Sequence, residues 1–325
     1  MPKVSVIVPV YGVEKYIERC AVSLFEQTLD DLEFVFVDDC TKDKSIEILE
    51  SVLLRYPKRK SQTSIIHHQH NQGLPVARQT GLKYATGEYI AHCDSDDWTD
   101  INMYQLLYHK AKSEDADIVT CNYYQGDEIV RVTRYVKDFK DKNSMIAAML
   151  THSTPVSVWN KLIKRSLYQY DDIVYPQNNF GEDFALMIQL VHHSNLIGHV
   201  DMPLYYYYSN QSSITKQRTP ESLYKNWRDM SMNTQIVLDF LKKVDEQDSF
   251  AFEINNLKEE CRSMLLPIVS LPGNRDLYLN QYPELTYSLM DLFKKDRTLF
   301  AGRYWLTKLH LYSFGAKIKK IVKRK

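Results

Sequence analysis

The chain has 325 residues, 44% hydrophobic and 25% charged, enough apolar material for one large domain or two modest ones. Lys plus Arg and Asp plus Glu both number 41, so no net field draws the chain to a polyanion and nucleic acid is not an expected partner. Five cysteines, an odd number without a Cys-x-x-Cys pair, speak against a disulfide framework or a thiolate zinc site.

Val4-Ser5-Val6-Ile7-Val8-Pro9-Val10 is β-branched and nearly all apolar, which predicts a strand covered on both faces. Residues 14–27 read as a helix with Ile17, Cys20, Ala21, Leu24 and Phe25 on one face. A second buried strand over 32–37 ends in Asp38-Asp39, and a helix over 45–56 is stopped by Pro57. A short strand covers 64–68. Gly73-Leu74-Pro75 then opens a helix, with proline where a first turn tolerates it, and Thr86-Gly87 closes it. Residues 88–92 and 116–121 read as the fourth and fifth strands. Strands alternating with helices predict a mainly parallel sheet covered by helices.

Residues 125–215 break the alternation. An edge strand is expected over 129–136, helices around 143–150, 160–169 and 182–193, and a strand over 196–200 before the run Tyr205-Tyr206-Tyr207-Tyr208. Beyond residue 220 the pattern turns helical, over 224–244, 252–266 and 283–293. The expected division is 1–218 and 219–325. Met1-Pro2-Lys3 leads straight into the first strand without a leader pattern, and no run of about 18 apolar residues is present to span a bilayer. The expected compartment is the cytoplasm.

His92-Cys93-Asp94-Ser95-Asp96-Asp97-Trp98 places three carboxylates in four residues directly after an apolar strand. Their repulsion is relieved by a hard divalent cation or by full solvation. Alone, such a cluster reads as a solvated turn or helix cap. Asp38-Asp39 changes the balance, because in a doubly wound sheet both clusters emerge at one edge, where such sheets bind ligands. Gly-x-Gly-x-x-Gly and Gly-Lys-Ser/Thr loops are absent, which argues against a dinucleotide oxidoreductase or a P-loop ATPase. Phosphates would instead be held by a metal on the aspartates. His67, His68 and His70 do not read as a metal site, since strand neighbours point to opposite faces. Asp183, on its own residues, reads as the cap of a helix that buries Phe184, Met187, Ile188 and Val191. Trp159 reads as core and Lys161 as solvated.

Val4-Ser5-Val6-Ile7-Val8-Pro9-Val10-Tyr11, the run from Phe36 through Asp38-Asp39-Cys40 to Ser45, Asn71-Gln72-Gly73-Leu74-Pro75-Val76-Ala77-Arg78-Gln79-Thr80-Gly81, and Asp94-Ser95-Asp96-Asp97-Trp98 occur in this order. Trp159-Asn160-Lys161-Leu162 and Gly181-Glu182-Asp183 follow. Together they resemble the family 2 glycosyltransferases, the inverting group with the GT-A nucleotide-diphospho-sugar transferase fold, over roughly residues 3–215. The chain departs from the usual pattern at Cys40, where glycine is common, and at Gln79, where asparagine is common.

The resemblance implies an α/β GT-A domain over 1–218, with a donor-binding part about 1–120 and an acceptor part about 121–218, followed by a helical region over 219–325. It implies a nucleotide-diphosphate sugar as donor, a UDP-sugar first. Pro9, Val10 and Tyr11 would line the base pocket, Asp39 would accept from the base ring N–H, and Arg78 would face the nucleotide. Asp94 and Ser95 would lie at the ribose or the metal shell, Asp96 would hold Mn²⁺ or Mg²⁺ against the diphosphate, and Asp183 would be the general base. The acceptor would be a saccharide or lipid-linked saccharide in bacterial capsule, lipopolysaccharide or exopolysaccharide synthesis. Residues 304–325 join an aromatic amphipathic segment to a tail with six basic residues, which suits an anionic membrane surface at the inner face of the cell membrane. Two rivals use the same aspartates: a metal-dependent nucleotidyltransferase or phosphohydrolase, and a non-catalytic nucleotide-sugar-binding protein.

Overall fold

In the computed structural model, which describes residues 1–127, 129–210, 218–294 and 297–312, the apolar N-terminal run forms β1 (Val4–Val10), buried at every position. It pairs in parallel with β2 (Leu32–Asp38) on one side and β4 (Tyr89–His92) on the other, and β2 pairs in parallel with β3 (Thr63–His67). The connections carry α1 (Ile17–Phe25), α2 (Ser45–Leu54) and α3 (Leu74–Tyr84). The alternation of β1 explains why both its faces are apolar. Val4, Val6, Val8 and Val10 join Ile17, Leu24, Phe34, Phe36 and Leu49 in the main core. Ile7 meets α3 on the other face so closely that a Cβ on Gly81 would lie 2.3 Å from Ile7 Cγ2.

The sheet continues through β8 (Lys161–Lys164), β6 (Ile118–Gly126), β9 (Ile197–Tyr208) and β5 (Trp98–Thr99), in the order β3-β2-β1-β4-β8-β6-β9-β5, with β7 (Arg131–Arg134) paired to β6. β8 runs antiparallel to both neighbours, β4 and β6. Strand order reverses beside β1: the chain builds outward to β3, and α3 carries it back to place β4 on the far side. The crevice at the C-terminal ends of β1, β2 and β4 is therefore the topological switch point, where such sheets bind ligands. α4 (Met103–Glu114), α5 (Lys142–Leu150) and α6 (Glu182–His193) complete this part of the chain.

Two expectations are corrected here. Residues 160–169 are not a helix: β8 occupies their first half and a 3₁₀ helix, Arg165–Gln169, the second. Leu162 and Ile163 are both fully buried, and a short strand flanked by partners on both edges buries consecutive side chains that a local pattern reads as helical. The strand at 196–200 and the tyrosine run are one strand, β9, which follows β6 through register shifts around Cys121–Tyr123 that accommodate Pro203.

The chain divides into two compact units, Met1–Gln211 and Ser212–Lys325. The second is helical: α7 (Pro220–Lys243), capped by the Thr219 side chain, α8 (Ala251–Ser263), α9 (Asn274–Asn280) and α10 (Thr298–Lys308). The expected helix over 283–293 shrinks to a 3₁₀ turn, Leu289–Phe293, held by a Ser288–Asp291 capping box. Its interior is built around Arg262, fully buried and paired with Glu259, with the rings of Tyr278, Tyr287 and Tyr304 around the guanidinium. Among the described residues no helix is long and apolar enough to cross a membrane. The basic tail, residues 315–325, lies outside the described residues.

Candidate active site

The C-terminal ends of β1 and β2 carry Pro9, Val10, Tyr11 and Asp39 to one edge. Pro9 and Val10 are buried in the ladder against Val37 and Asp38. Tyr11, just beyond, is exposed. The Asp39 N–H donates to Val10 O (3.0 Å). Asp39 is buried, and its carboxylate is nearly saturated: Oδ1 accepts from Gln72 N–H (2.8 Å) and His68 Nδ1 (2.8 Å), and Oδ2 from Gly73 N–H (2.8 Å). A carboxylate oxygen has two acceptor positions, so among the described residues one place on Oδ2 is left for one further donor. The second nitrogen of His68 meets Thr80 Oγ1 at 2.9 Å, and His67 Nδ1 meets Asp38 Oδ2 at 2.9 Å. The paired histidines at the end of β3 therefore serve the paired aspartates at the end of β2, a consequence of the Asp38–His67 register that no local motif announced.

Two backbone positions shape this edge. Cys40, where the family commonly has glycine, has φ +59°, the left-handed region that favours a residue without Cβ. Gly73 has φ +89°, and a Cβ there would lie 2.8 Å from Asn179 Oδ1. Asn179 itself accepts from Leu74 N–H (3.1 Å), so the loop before α6 rests on the start of α3.

After β4 the acidic turn alternates. Asp94 and Asp96 are half-buried, and Ser95 and Asp97 are buried. Asp97 accepts from the Tyr205 hydroxyl (2.8 Å) and Tyr208 N–H (2.7 Å). Burial, with the charges of Asp96 and Asp94, pushes its carboxyl well above the usual range. The third aspartate of the cluster is thus an internal tie between the turn and β9, and the same Tyr205 oxygen accepts from Asp94 N–H (3.0 Å). Asp96 Oδ2 accepts from Asn210 Nδ2 (3.1 Å), and its backbone oxygen from Arg19, whose guanidinium lies 3.7 Å above the Trp98 ring. Among the described residues no three His, Cys, Asp or Glu side chains converge as an all-protein metal cage requires. Asp94 and Asp96 offer hard oxygen donors, which suits a cation that keeps waters and takes its remaining ligands from a substrate's phosphates.

Arg78, on the buried side of α3, sits at the centre. Nη2 donates to Asp94 Oδ1 (2.7 Å), and Nη1 donates to Glu182 and to Asp183, the first residues of α6. Its guanidinium is turned to these three carboxylates, and among the described residues Nε has no hydrogen-bond partner. One positive charge faces three carboxyl groups, and their acidities separate. Burial drives Glu182 well above its ordinary value, with Asp183 and Asp94 adding to the rise. Burial also raises Asp94, against the pull of Arg78. For Asp183 burial acts upward too, but Arg78, the Glu182 hydrogen bond and Val158 N–H (3.2 Å to Oδ2) overcome it and hold the carboxyl below its ordinary value. Asp183 is the more acidic member of the pair and Glu182 the less acidic one.

The cap expected of Asp183 from its own residues is corrected. Gly181, with φ +85°, is the N-cap of α6, and the Asp183 oxygens go to Arg78 and Val158 instead. Lys161 is likewise not solvated: it is fully buried, with Nζ on Pro155 O, Ser157 O and Asn160 Oδ1. Trp159 is core, stacked on Tyr205 and Tyr207. Glu182, His68, Asn179 and Tyr205 were not picked out as site residues by sequence reasoning. Only Glu182 carried a signal, its place beside Asp183.

Residues 5–176 match the model of the family described as Glycosyl transferase family 2. The chain is 34% identical over 226 residues to the uncharacterized glycosyltransferase EpsJ of Bacillus subtilis, covering 66% of this chain and 64% of that protein. It is 33% identical over 233 residues to the putative glycosyltransferase EpsH of the same organism, covering 69% and 66%. The chain thus spans just under two thirds of the length of these relatives. Among solved structures it is similar to S. aureus TarS 1-349 in complex with UDP-GlcNAc, with a TM-score of 0.60 at 20% identity, covering 96% of this chain and 92% of that one. It is also similar to the mannosyltransferase PcManGT of Pyrobaculum calidifontis in complex with GDP-Man and Mn²⁺, with a TM-score of 0.53 at 14% identity, covering 95% and 87%. At those identities the likeness is one of fold.

Proposed function

The chain belongs to glycosyl transferase family 2 and has the GT-A fold, and on that premise we propose that it is an inverting glycosyltransferase. It moves a sugar from a nucleotide-diphosphate sugar to a hydroxyl of a saccharide or lipid-linked saccharide, in the synthesis of a bacterial surface polysaccharide. The observation that carries this reading is the Arg78 brace: one guanidinium holds Asp94, at the donor edge of the sheet, and Asp183, on the helix of the acceptor half. A group for the leaving diphosphate and a base for the incoming hydroxyl are thereby held to the same side chain.

The remaining acceptor position on Asp39 Oδ2 takes a ring N–H of the base beside Pro9, Val10 and Tyr11. That requirement fits uracil. The UDP-GlcNAc and UDP complexes of TarS support a UDP-sugar as the first donor to test. Asp94 and Asp96 would hold Mn²⁺ or Mg²⁺, which when bound neutralises charge developing on the leaving diphosphate. Ser95, buried between them, shapes the turn. Against burial, Arg78 draws the Asp183 carboxyl below its ordinary range and aims it. Arg78, Val158 N–H and Glu182 are the partners of the Asp183 carboxylate among the described residues; the acceptor position they leave can take the acceptor's hydroxyl proton as that oxygen attacks the anomeric carbon from the face opposite the nucleotide.

The test is a thermal-shift screen of UDP-, GDP- and dTDP-sugars with and without Mn²⁺, followed by transfer to saccharide acceptors. A metal-dependent rise in melting temperature with one sugar nucleotide, and acceptor-dependent transfer abolished by Asp96→Ala or EDTA, is expected. Hydrolysis of the donor without transfer to any acceptor would favour a phosphohydrolase. Binding without turnover would favour a non-catalytic binding protein. Full activity in EDTA would remove the metal from the scheme. For the peripheral membrane location, the expected outcome is salt-sensitive co-sedimentation with anionic vesicles, lost on deletion of residues 315–325. Equal binding to neutral vesicles would refute it.

A further inference from the structure

Lys161 begins β8, and its side chain is completely buried. An ammonium group has three donors, and here each has an acceptor: Ser157 O at 2.6 Å, Asn160 Oδ1 at 2.8 Å and Pro155 O at 3.2 Å. None of these acceptors is a carboxylate. Burying a cation on neutral oxygens is costly; burial lowers its pKa to about 8, while the charge of Asp183 works in the opposite direction. An apolar side chain of the same length would fill the space without that cost, so the cation has a use beyond packing.

The geometry points to that use. The three acceptors lie on the loop that leads into β8, and the ammonium draws them together from inside. Ser157 Oγ and Asn160 Oδ1 are joined at 3.1 Å, Lys161 N–H donates to Val158 O (3.2 Å), and Asn160 is tied to β6 through Nδ2 to Cys121 O (3.0 Å) and its own carbonyl to Cys121 N–H (3.1 Å). What the closed loop presents outward is the Val158 N–H, 3.2 Å from Asp183 Oδ2. Asp183 is thus gripped on one oxygen by Arg78 and on the other by an amide whose position depends on Lys161.

We propose that Lys161 is a positioning residue for the general base: it closes the loop of residues 155–160 around its ammonium group so that the Val158 amide orients the Asp183 carboxylate towards the acceptor hydroxyl. The proposal rests on the reading of Asp183 as that base. Lys161 is fully buried and acts through the loop, with its charge adding a direct attraction to Asp183.

The experiment is a double-mutant cycle on the full chain, with Lys161→Met and Asp183→Asn alone and together. Donor-site binding is measured with UDP and Mn²⁺ as probe. Turnover is measured with the UDP-sugar selected by the screen above. Amide hydrogen exchange is measured at Val158. A displacement of about 1 Å at a base costs roughly 10²-fold, so Lys161→Met should lower kcat by roughly ten- to a hundredfold, with UDP affinity and donor KM within about threefold of wild type. Val158 exchange should quicken at least about tenfold, and in the Asp183→Asn background the same substitution should cost less than about threefold more. Lys161→Gln keeps two N–H donors without the charge; it should recover part of the turnover, and it carries the test if the methionine variant does not fold. Unchanged kcat and unchanged exchange in both variants overturn the proposal. So does a full additional loss in the Asp183→Asn background, because Lys161 would then act on something else. If Asp183→Asn keeps wild-type turnover, the base assignment falls, and the exchange at Val158 still reports separately whether Lys161 orders the loop.

Discussion

Replacing Arg78 by methionine should be strongly destabilising. The guanidinium is 5% exposed and faces Asp94, Glu182 and Asp183, themselves 26%, 8% and 18% exposed. A pair of unit charges about 4 Å apart at an effective dielectric of about 20 gains about 4 kcal/mol. The loss is capped, because each stranded carboxylate can take a proton at about 1.4 kcal/mol for every pH unit above its own pKa. Breaking a buried pair by removing one partner costs about 3–5 kcal/mol, which for a unit of this size lowers the melting temperature by roughly 6–20 °C.

The pH dependence of that loss has a definite sign. In the wild type Asp183 is held below its unfolded value, so its contribution is present above about pH 4 and is lost as pH falls through the folded value. Without Arg78 burial acts on it against the Glu182 hydrogen bond and the Val158 N–H, so its folded value moves upward and its contribution shrinks. Asp94 and Glu182, already raised by burial, rise further and penalise folding at neutral pH, a penalty relieved on acidification. The stability gap between wild type and Arg78→Met should therefore narrow from pH 7.5 to pH 5, read by denaturant unfolding at each pH. A melting temperature within about 2 °C of wild type at neutral pH, or a gap that widens on acidification, would refute the assignment of Arg78 as the shared counter-ion.

Three further predictions concern the backbone that places the site. Gly73→Ala puts a Cβ at φ +89° and 2.8 Å from Asn179 Oδ1. It should destabilise by about 1–3 kcal/mol in thermal unfolding and weaken UDP binding, since Asp39 loses the Gly73 amide from its grip; unaltered UDP affinity would detach that amide from the donor site. Cys40→Gly relieves a left-handed residue and should stabilise by up to about 1 kcal/mol, less the contact from Cys40 Sγ to Gln69 O; a lower melting temperature would show that the sulfur contact outweighs the backbone cost. Gly81→Ala drives a methyl to 2.3 Å from Ile7 Cγ2 and should cost about 1–3 kcal/mol by overpacking, part of which Ile7→Ala should restore in the same chain; no rescue would mean that the crowding is relieved elsewhere.

Local pattern determined the alternation of strands and crossover helices in the first 120 residues, because a strand covered on both faces must be apolar throughout and a crossover helix must show one apolar face, whichever neighbours each acquires. It also determined that aspartates follow the second and fourth strands, and so lie at one edge of the sheet. Tertiary structure decided what those aspartates do. Asp94 meets Arg78 and Asp96 meets Asn210, both half-buried, while Asp97 turns in to Tyr205 and Tyr208 of β9. His67 and His68 serve Asp38 and Asp39 because β2 and β3 pair in one register. Arg78 meets Asp94, Glu182 and Asp183 because α3 returns across the sheet to the start of α6. Lys161 is a buried cation because β8 enters between β4 and β6. Periodicity reports which face of an element is apolar; it carries nothing about which distant atoms will lie within hydrogen-bonding distance of a charge, and the acidity and aim of a carboxylate depend on those atoms.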